Sequence, residues 1–112
     1  MRGKITREDL GEITVLCVPA HMDLLLSEKL EQMCDELFDG GRHRIVLDCT
    51  QLVFLNSVVI RILLNYHGAA IQRGGDLKFA NASVHMEDIF QLAKLTEIFS
   101  WYRSVDEAIE AF

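Results

Sequence analysis

Proline occurs once in this chain, at Pro19, and cysteine three times, at Cys17, Cys34 and Cys49. An odd number of cysteines, with no C-x-x-C spacing and apolar neighbours, argues against a disulfide framework. They read as reduced thiols serving as small hydrophobes. Bases are also scarce. Eleven Lys and Arg against seventeen Asp and Glu give a formal net charge of -6. The bases are scattered singly rather than gathered in a stripe, which argues against DNA or RNA as the main partner. No apolar run is long enough for a membrane span, and the amino-terminal MRGKITRED has no apolar stretch of signal-peptide type. The expectation is a cytoplasmic protein without membrane insertion. The histidines His21, His43, His67 and His85 fall in no H-E-x-x-H or paired Cys/His spacing, so no metal site is predicted. Gly74-Gly75 lacks the Lys and Ser/Thr of a phosphate loop, and no nucleophile–base pairing is legible. Neither catalytic residues nor a cofactor are expected, and the chain is not read as an enzyme.

What is present is an ordinary globular composition: 112 residues, half of them hydrophobic and a quarter charged. One continuous domain over 1–112 is predicted, with a core of its own. Lys4 to Glu8 and Glu12 to Val18 read as a hairpin turning at Asp9-Leu10-Gly11, the second strand being β-branched and apolar on both faces. After Pro19 the period changes. Leu26, Leu30, Met33 and Leu37 form one helical stripe, which Gly40-Gly41 ends. Arg44 to Cys49 reads as a buried strand, and Thr50 to Asn56 as a loop into a second helix, Ser57 to Arg73, apolar over most of its circumference.

Leu77 to Ala80 supplies a further strand, and Ser83 caps a third helix with Ile89, Phe90 and Ala93 inward. Thr96 to Tyr102 follows as a last strand. Ser104-Val105-Asp106-Glu107 has the form of a capping box opening a final helix. The order predicts an α/β domain with a four- or five-stranded mixed sheet and helices mainly on one face. Its loop from the third strand to the second helix lies at the sheet end where such folds carry their sites.

In this order the segments resemble the STAS domain family, as found in bacterial anti-sigma-factor antagonists. The resemblance rests on Ile45-Val46-Leu47-Asp48, Leu52-Val53-Phe54-Leu55-Asn56-Ser57, and Arg73-Gly74-Gly75-Asp76-Leu77-Lys78. Met22-Asp23, Leu92-Ala93-Lys94-Leu95 and the closing Ser104-Val105-Asp106-Glu107-Ala108 add to it. The family typically shows a D-S-S-G turn into a helix. Asn56 stands at its Asp, Ser57 at the phosphorylated Ser, Val58 at the second Ser and Val59 at the Gly.

The resemblance implies a partner switch. The unmodified domain docks onto an anti-sigma factor that is itself a serine kinase, and phosphorylation of the first serine ends the association. Ser57 is then the phosphoacceptor, and Asp23, Asn56, Ser57, Val58 and Val59 are the partner-binding residues. The acceptor hydroxyl is retained while its three companions are replaced. That leaves a second reading within the family, a STAS subunit that binds a transport or signalling ATPase as a fixed scaffold and is never phosphorylated. Trp101-Tyr102 reads either as an edge-strand packing pair or as an exposed aromatic contact.

Overall fold

The computed structural model describes residues 3–112. The strands β1 (Thr6–Leu10) and β2 (Ile13–Cys17) form a hairpin, and β3 (His21–Met22) leads into α1 (Leu24–Asp39). Next come β4 (Arg44–Asp48), β5 (Phe54–Leu55) and α2 (Ser57–Gln72). The chain closes with β6 (Asp76–Ala80), α3 (Val84–Leu92), β7 (Ser100–Tyr102) and α4 (Val105–Glu110). The main sheet runs β1-β2-β4-β6-β7, antiparallel at β1–β2 and parallel elsewhere. The sequence predicts a mixed α/β sheet of four or five strands, and the structure has five.

Strand alternation sorts the side chains onto two faces. Leu16, Ile45, Leu47, Leu77 and Phe79 point to one side, where Leu26 and Leu30 of α1, Ile62 and Leu63 of α2, and Met86 and Phe90 of α3 cover them. Val15, Val46 and Ala80 point to the other, under Ala108 of α4. Three helices therefore lie on one face and one short helix on the other. Lys78 also turns to the α4 side, where it is buried. Its ammonium bonds the Asp76 carboxylate at 3.0 Å and sits 4.9 Å above the Phe112 ring centroid. Burial alone would lower its pKa; the bond and charge of Asp76, helped by Tyr102, outweigh that and hold it above the ordinary lysine value.

Three of the four helix ends follow one rule. In α1, Gly41 at φ 78° lets its own N–H reach the Phe38 carbonyl and the Arg42 N–H reach the Leu37 carbonyl. In α2, Gly74 at φ 79° does the same, with Gly74 N–H to Ile71 and Gly75 N–H to Ala70. Both are Schellman ends, which need a left-handed residue just past the cap. The third helix ends identically on Lys94, at φ 60°, where a Cβ makes that conformation costly.

Some sequence expectations shift. The hairpin turns at Gly11-Glu12 rather than Asp9-Leu10-Gly11, since Leu10 is still paired with Ile13 and Gly11, at φ 63°, takes the tight position. On α1 Cys34 is buried where Met33 was expected, Met33 being only partly covered. On α3 the inward residues are Met86 and Phe90, with Ile89 partly buried and Ala93 exposed at the C-cap. The last strand is shorter than expected, three residues of which Trp101 and Tyr102 face opposite sides. In the capping box, Ser104 Oγ accepts the Glu107 N–H at 3.1 Å, but Glu107 reaches back to the Arg103 N–H, one residue upstream of the cap. The segment read as a loop from Thr50 to Asn56 contains β5, which pairs with β3 in a separate two-stranded sheet.

Candidate functional site

That small pairing builds the site. His21 aligns with Phe54 and Met22 with Leu55, in parallel register. Met22 and Leu55 are buried and anchor both segments to the core. The next residue in each segment is a helix cap. Asp23 Oδ1 accepts the Leu26 N–H at 3.0 Å and Asn56 Oδ1 accepts the Val59 N–H at 3.1 Å. Each cap satisfies one of the backbone donors a helix start leaves open. The amino termini of α1 and α2 thus emerge side by side from one end of the fold.

Ser57 is the first residue of α2 and is exposed. Its hydroxyl makes no hydrogen bond among the described residues, because Asn56 does the capping. The first turn of α2 carries no acidic residue, so the positive end of the helix dipole is not already answered by a carboxylate. An anion on this side chain would be stabilised there by roughly 0.3–1 kcal/mol. Val58 is partly buried against the core. Val59 is 2% exposed and faces the core. Its side chain cannot line a docking face, which corrects the expectation for that residue: a β-branched side chain at this position packs inward while its N–H serves the cap.

At the same end of the fold as Ser57 lie exposed apolar side chains that sequence reasoning did not single out. Leu24 and Leu25 on the first turn of α1, and Val53 and Phe54 beside and within β5, are exposed, each by about half or more. The His21 ring stands 6.3 Å from the Phe54 ring, across the strand pair. The sequence carried one signal for these residues: Leu24 and Leu25 are leucines off the buried stripe that begins at Leu26. Surfaces of this kind, apolar and rimmed by polar groups, mark interaction sites more often than chance.

The remaining candidates resolve into structure. Asp48 Oδ1 accepts from the Thr50 N–H, the Thr50 hydroxyl at 2.6 Å and the Asn81 amide at 3.3 Å, locking the ends of β4 and β6. Trp101 packs in an aromatic group, 4.7 Å from Phe79 and 5.1 Å from Phe90, and donates its indole N–H to the Thr96 carbonyl at 3.1 Å. The packing reading holds for it. His67 is partly buried beside Asp76, at 3.4 Å, with its ring 5.0 Å from Phe99. Tyr66 donates its hydroxyl to the Asp35 carboxylate, clasping α2 to α1; burial and then Asp35 push its phenol well above the ordinary value. Burial drives the thiols of Cys34 and Cys49 up to about 12. Among the described residues no group of three or more His, Cys, Asp or Glu could hold a metal ion, and no helix is long and apolar enough to cross a membrane.

Comparison with known proteins agrees with the fold. BtrV of Bordetella bronchiseptica, named as a candidate anti-sigma factor antagonist, is 25% identical over 109 residues, which is 97% of this chain and 94% of BtrV. The crystal structure of TM1081 from Thermotoga maritima, also named as a candidate antagonist, matches with a TM-score of 0.86 at 17% identity, over 96% of this chain and 92% of that one. The Bacillus cell fate determinant SpoIIAA in its phosphorylated form gives 0.78 at 20% identity, over 96% and 97%. At such identities the structural likeness speaks for the fold. The sequence model of the STAS domain matches residues 4–108. The chain belongs to the STAS domain family.

Proposed function

We propose that this protein is a non-enzymatic regulator of the anti-sigma-factor-antagonist type, acting in the cytoplasm through a phosphorylation-controlled partner switch. Its docking face is built from Ser57, Asn56, Val58 and Asp23, extended by Leu24, Leu25, Val53 and Phe54. The observation that carries this reading is the placement of Ser57: first in its helix, exposed, with its hydroxyl uncommitted, beside that apolar surface.

The partner is an anti-sigma factor with serine-kinase activity, and this chain is its substrate. The Ser57 Oγ attacks the γ-phosphorus of ATP held by the kinase. The bond from that phosphorus to the ADP oxygen breaks, and the hydroxyl proton passes to a base of the kinase. The product carries about -1.5 to -2 charge at a helix start that tolerates it, so the domain stays folded. The complex does not tolerate it, because a dianion buried against leucine and phenylalanine is costly unless cations pair with it.

Incubating the protein with its cognate kinase and ATP, then mapping phosphate by mass spectrometry, tests the reading. Phosphate on Ser57, lost in Ser57→Ala, is the expected result. Tight binding of the partner ATPase with no phosphate transfer to wild-type protein would instead establish the fixed-scaffold reading.

A further inference from the structure

At the opposite end of the main sheet from Ser57, the chain gathers positive charge against its own net charge of -6. A half-open cavity of about 320 Å³ lies there, where β4 and β6 begin and α1 and α2 end. Arg42, Arg44 and Arg73 line it, with Glu12 as the sole lining carboxylate among the described residues. We propose that this cavity binds the phosphate groups of a small phosphorylated molecule.

The three guanidiniums differ in how firmly they are held. Arg42 is fixed: Nε donates to Thr14 Oγ1 at 2.8 Å, and Nη2 donates to the carbonyls of Gly11 at 2.8 Å and Ile13 at 3.1 Å. The Thr14 hydroxyl in turn donates to Asp9 Oδ1 at 3.0 Å, and the same carboxylate oxygen pairs with Arg42 Nε at 3.7 Å. These contacts leave Arg42 Nη1 without a partner among the described residues. Arg44 makes one exposed bond through Nη1 to Glu12 at 3.1 Å, and among the described residues its Nε and Nη2 are uncommitted. Arg73 stands over the Phe38 ring at 5.3 Å and, among the described residues, hydrogen-bonds only the Ala69 carbonyl, at 3.5 Å through Nη1. One preorganised guanidinium and two with spare donors suit an anion with several oxygens, which arginine forks bind in pairs of parallel bonds; they act against the negative ends of the α1 and α2 dipoles, which lie at the same cavity.

The floor narrows the ligand class. The Gly41, Gly74 and Gly75 N–H groups are used up in the helix ends, so the ligand's oxygens must be met by arginine rather than by a backbone nest. The wall closes tightly, since a Cβ on Gly75 would stand 1.9 Å from the His43 carbonyl oxygen. The volume is at the small end of ligand sites, enough for one or two phosphates with little else enclosed. Each five-residue strand separates this cavity from the docking end by roughly 15 Å, so the two can be occupied at once.

Titration of inorganic pyrophosphate into the full-length protein at low salt, followed by amide NMR, tests the proposal. Saturable shifts at Gly41, Gly74 and Gly75 with a Kd of about 1 mM or tighter are expected. Arg44→Gln, and Arg44→Gln with Arg73→Gln, should weaken binding by about tenfold or more with thermal unfolding little changed; Arg42 is left intact because it ties the hairpin to β4. Ser57→Asp should bind pyrophosphate as wild type does, whatever becomes of the partner switch. Shifts spread over the surface without saturation, shifts unaffected by the Arg44→Gln variant, or tighter binding of a polyglutamate peptide than of pyrophosphate would each overturn it.

Discussion

Met22 and Leu55 are register partners in the β3–β5 pairing, and the residue following each, Asp23 and Asn56, caps a helix. Two chain segments more than thirty residues apart therefore present equivalent helix starts at one end of the fold. Replacing Asn56 by Ala should remove the Val59 N–H partner and lower stability by about 1 kcal/mol. Asn56→Asp should keep the cap and add charge complementary to the helix dipole, raising stability by about 0.3–1 kcal/mol. Urea denaturation of both variants with unchanged slope is the check.

Binding and stability should separate at the docking face. Leu25 is 61% exposed, so Leu25→Ser should change folding stability by less than about 0.5 kcal/mol. If that leucine anchors the partner, affinity falls by about tenfold, or 1.4 kcal/mol. Ser57→Asp should weaken the same complex by a similar factor and Ser57→Ala should leave it intact. Calorimetry on folded proteins measures all three, and equal affinities for wild type and Ser57→Asp would remove Ser57 from the interface.

Left-handed and crowded backbone positions make opposite predictions. Lys94 holds φ 60° at the end of α3, so Lys94→Gly should stabilise by about 0.5–1 kcal/mol, as relieving a Cβ in that region does. Gly68 lies inside α2 with nothing within 4 Å of a would-be Cβ; Gly68→Ala should add about 0.5–1 kcal/mol through helix propensity. Gly75→Ala should destabilise by about 2–3 kcal/mol or more, since the clash is with backbone that cannot rotate away. Thermal melts rank the three.

Core truncation gives a larger number. Leu63 is 1% exposed, on the face of α2 against the sheet. Leu63→Ala should cost about 2–5 kcal/mol. A loss under about 0.5 kcal/mol in denaturant unfolding would contradict its place in the core.

The buried thiols predict both reactivity and pH dependence. With Cys34 and Cys49 raised to about 12 by burial, only Cys17 should react with a thiol reagent at pH 8, the others reacting after unfolding. Both thiols have folded pKa values above the unfolded value near 9.0. The stability these thiols contribute is therefore full below pH 9 and is lost as pH rises from 9 towards about 12. Denaturation at pH 8 and 10, comparing wild type with Cys34→Ala, would detect it.

The elements with a strong period were legible in the sequence. Leu26, Leu30 and Leu37 fix the face of α1, Ile45 to Leu47 a buried strand, and Gly41 and Gly74 the helix ends, because these are local consequences of side-chain spacing and backbone sterics. The start of α2 at Ser57 was legible for the same reason. What tertiary structure alone decided is long-range. A two-residue strand has no period to read, so β5 and its pairing with β3 were hidden in a presumed loop. The inward turn of Val59 and the exposure of Leu25 depend on which side of each helix meets the sheet, and that of Phe54 on the facing of β5; local propensity fixes neither. The meeting of Arg42 and Arg44 with Arg73 is set by parallel crossovers that return both helices to the same sheet end, placing in one cavity charges that look scattered along the chain.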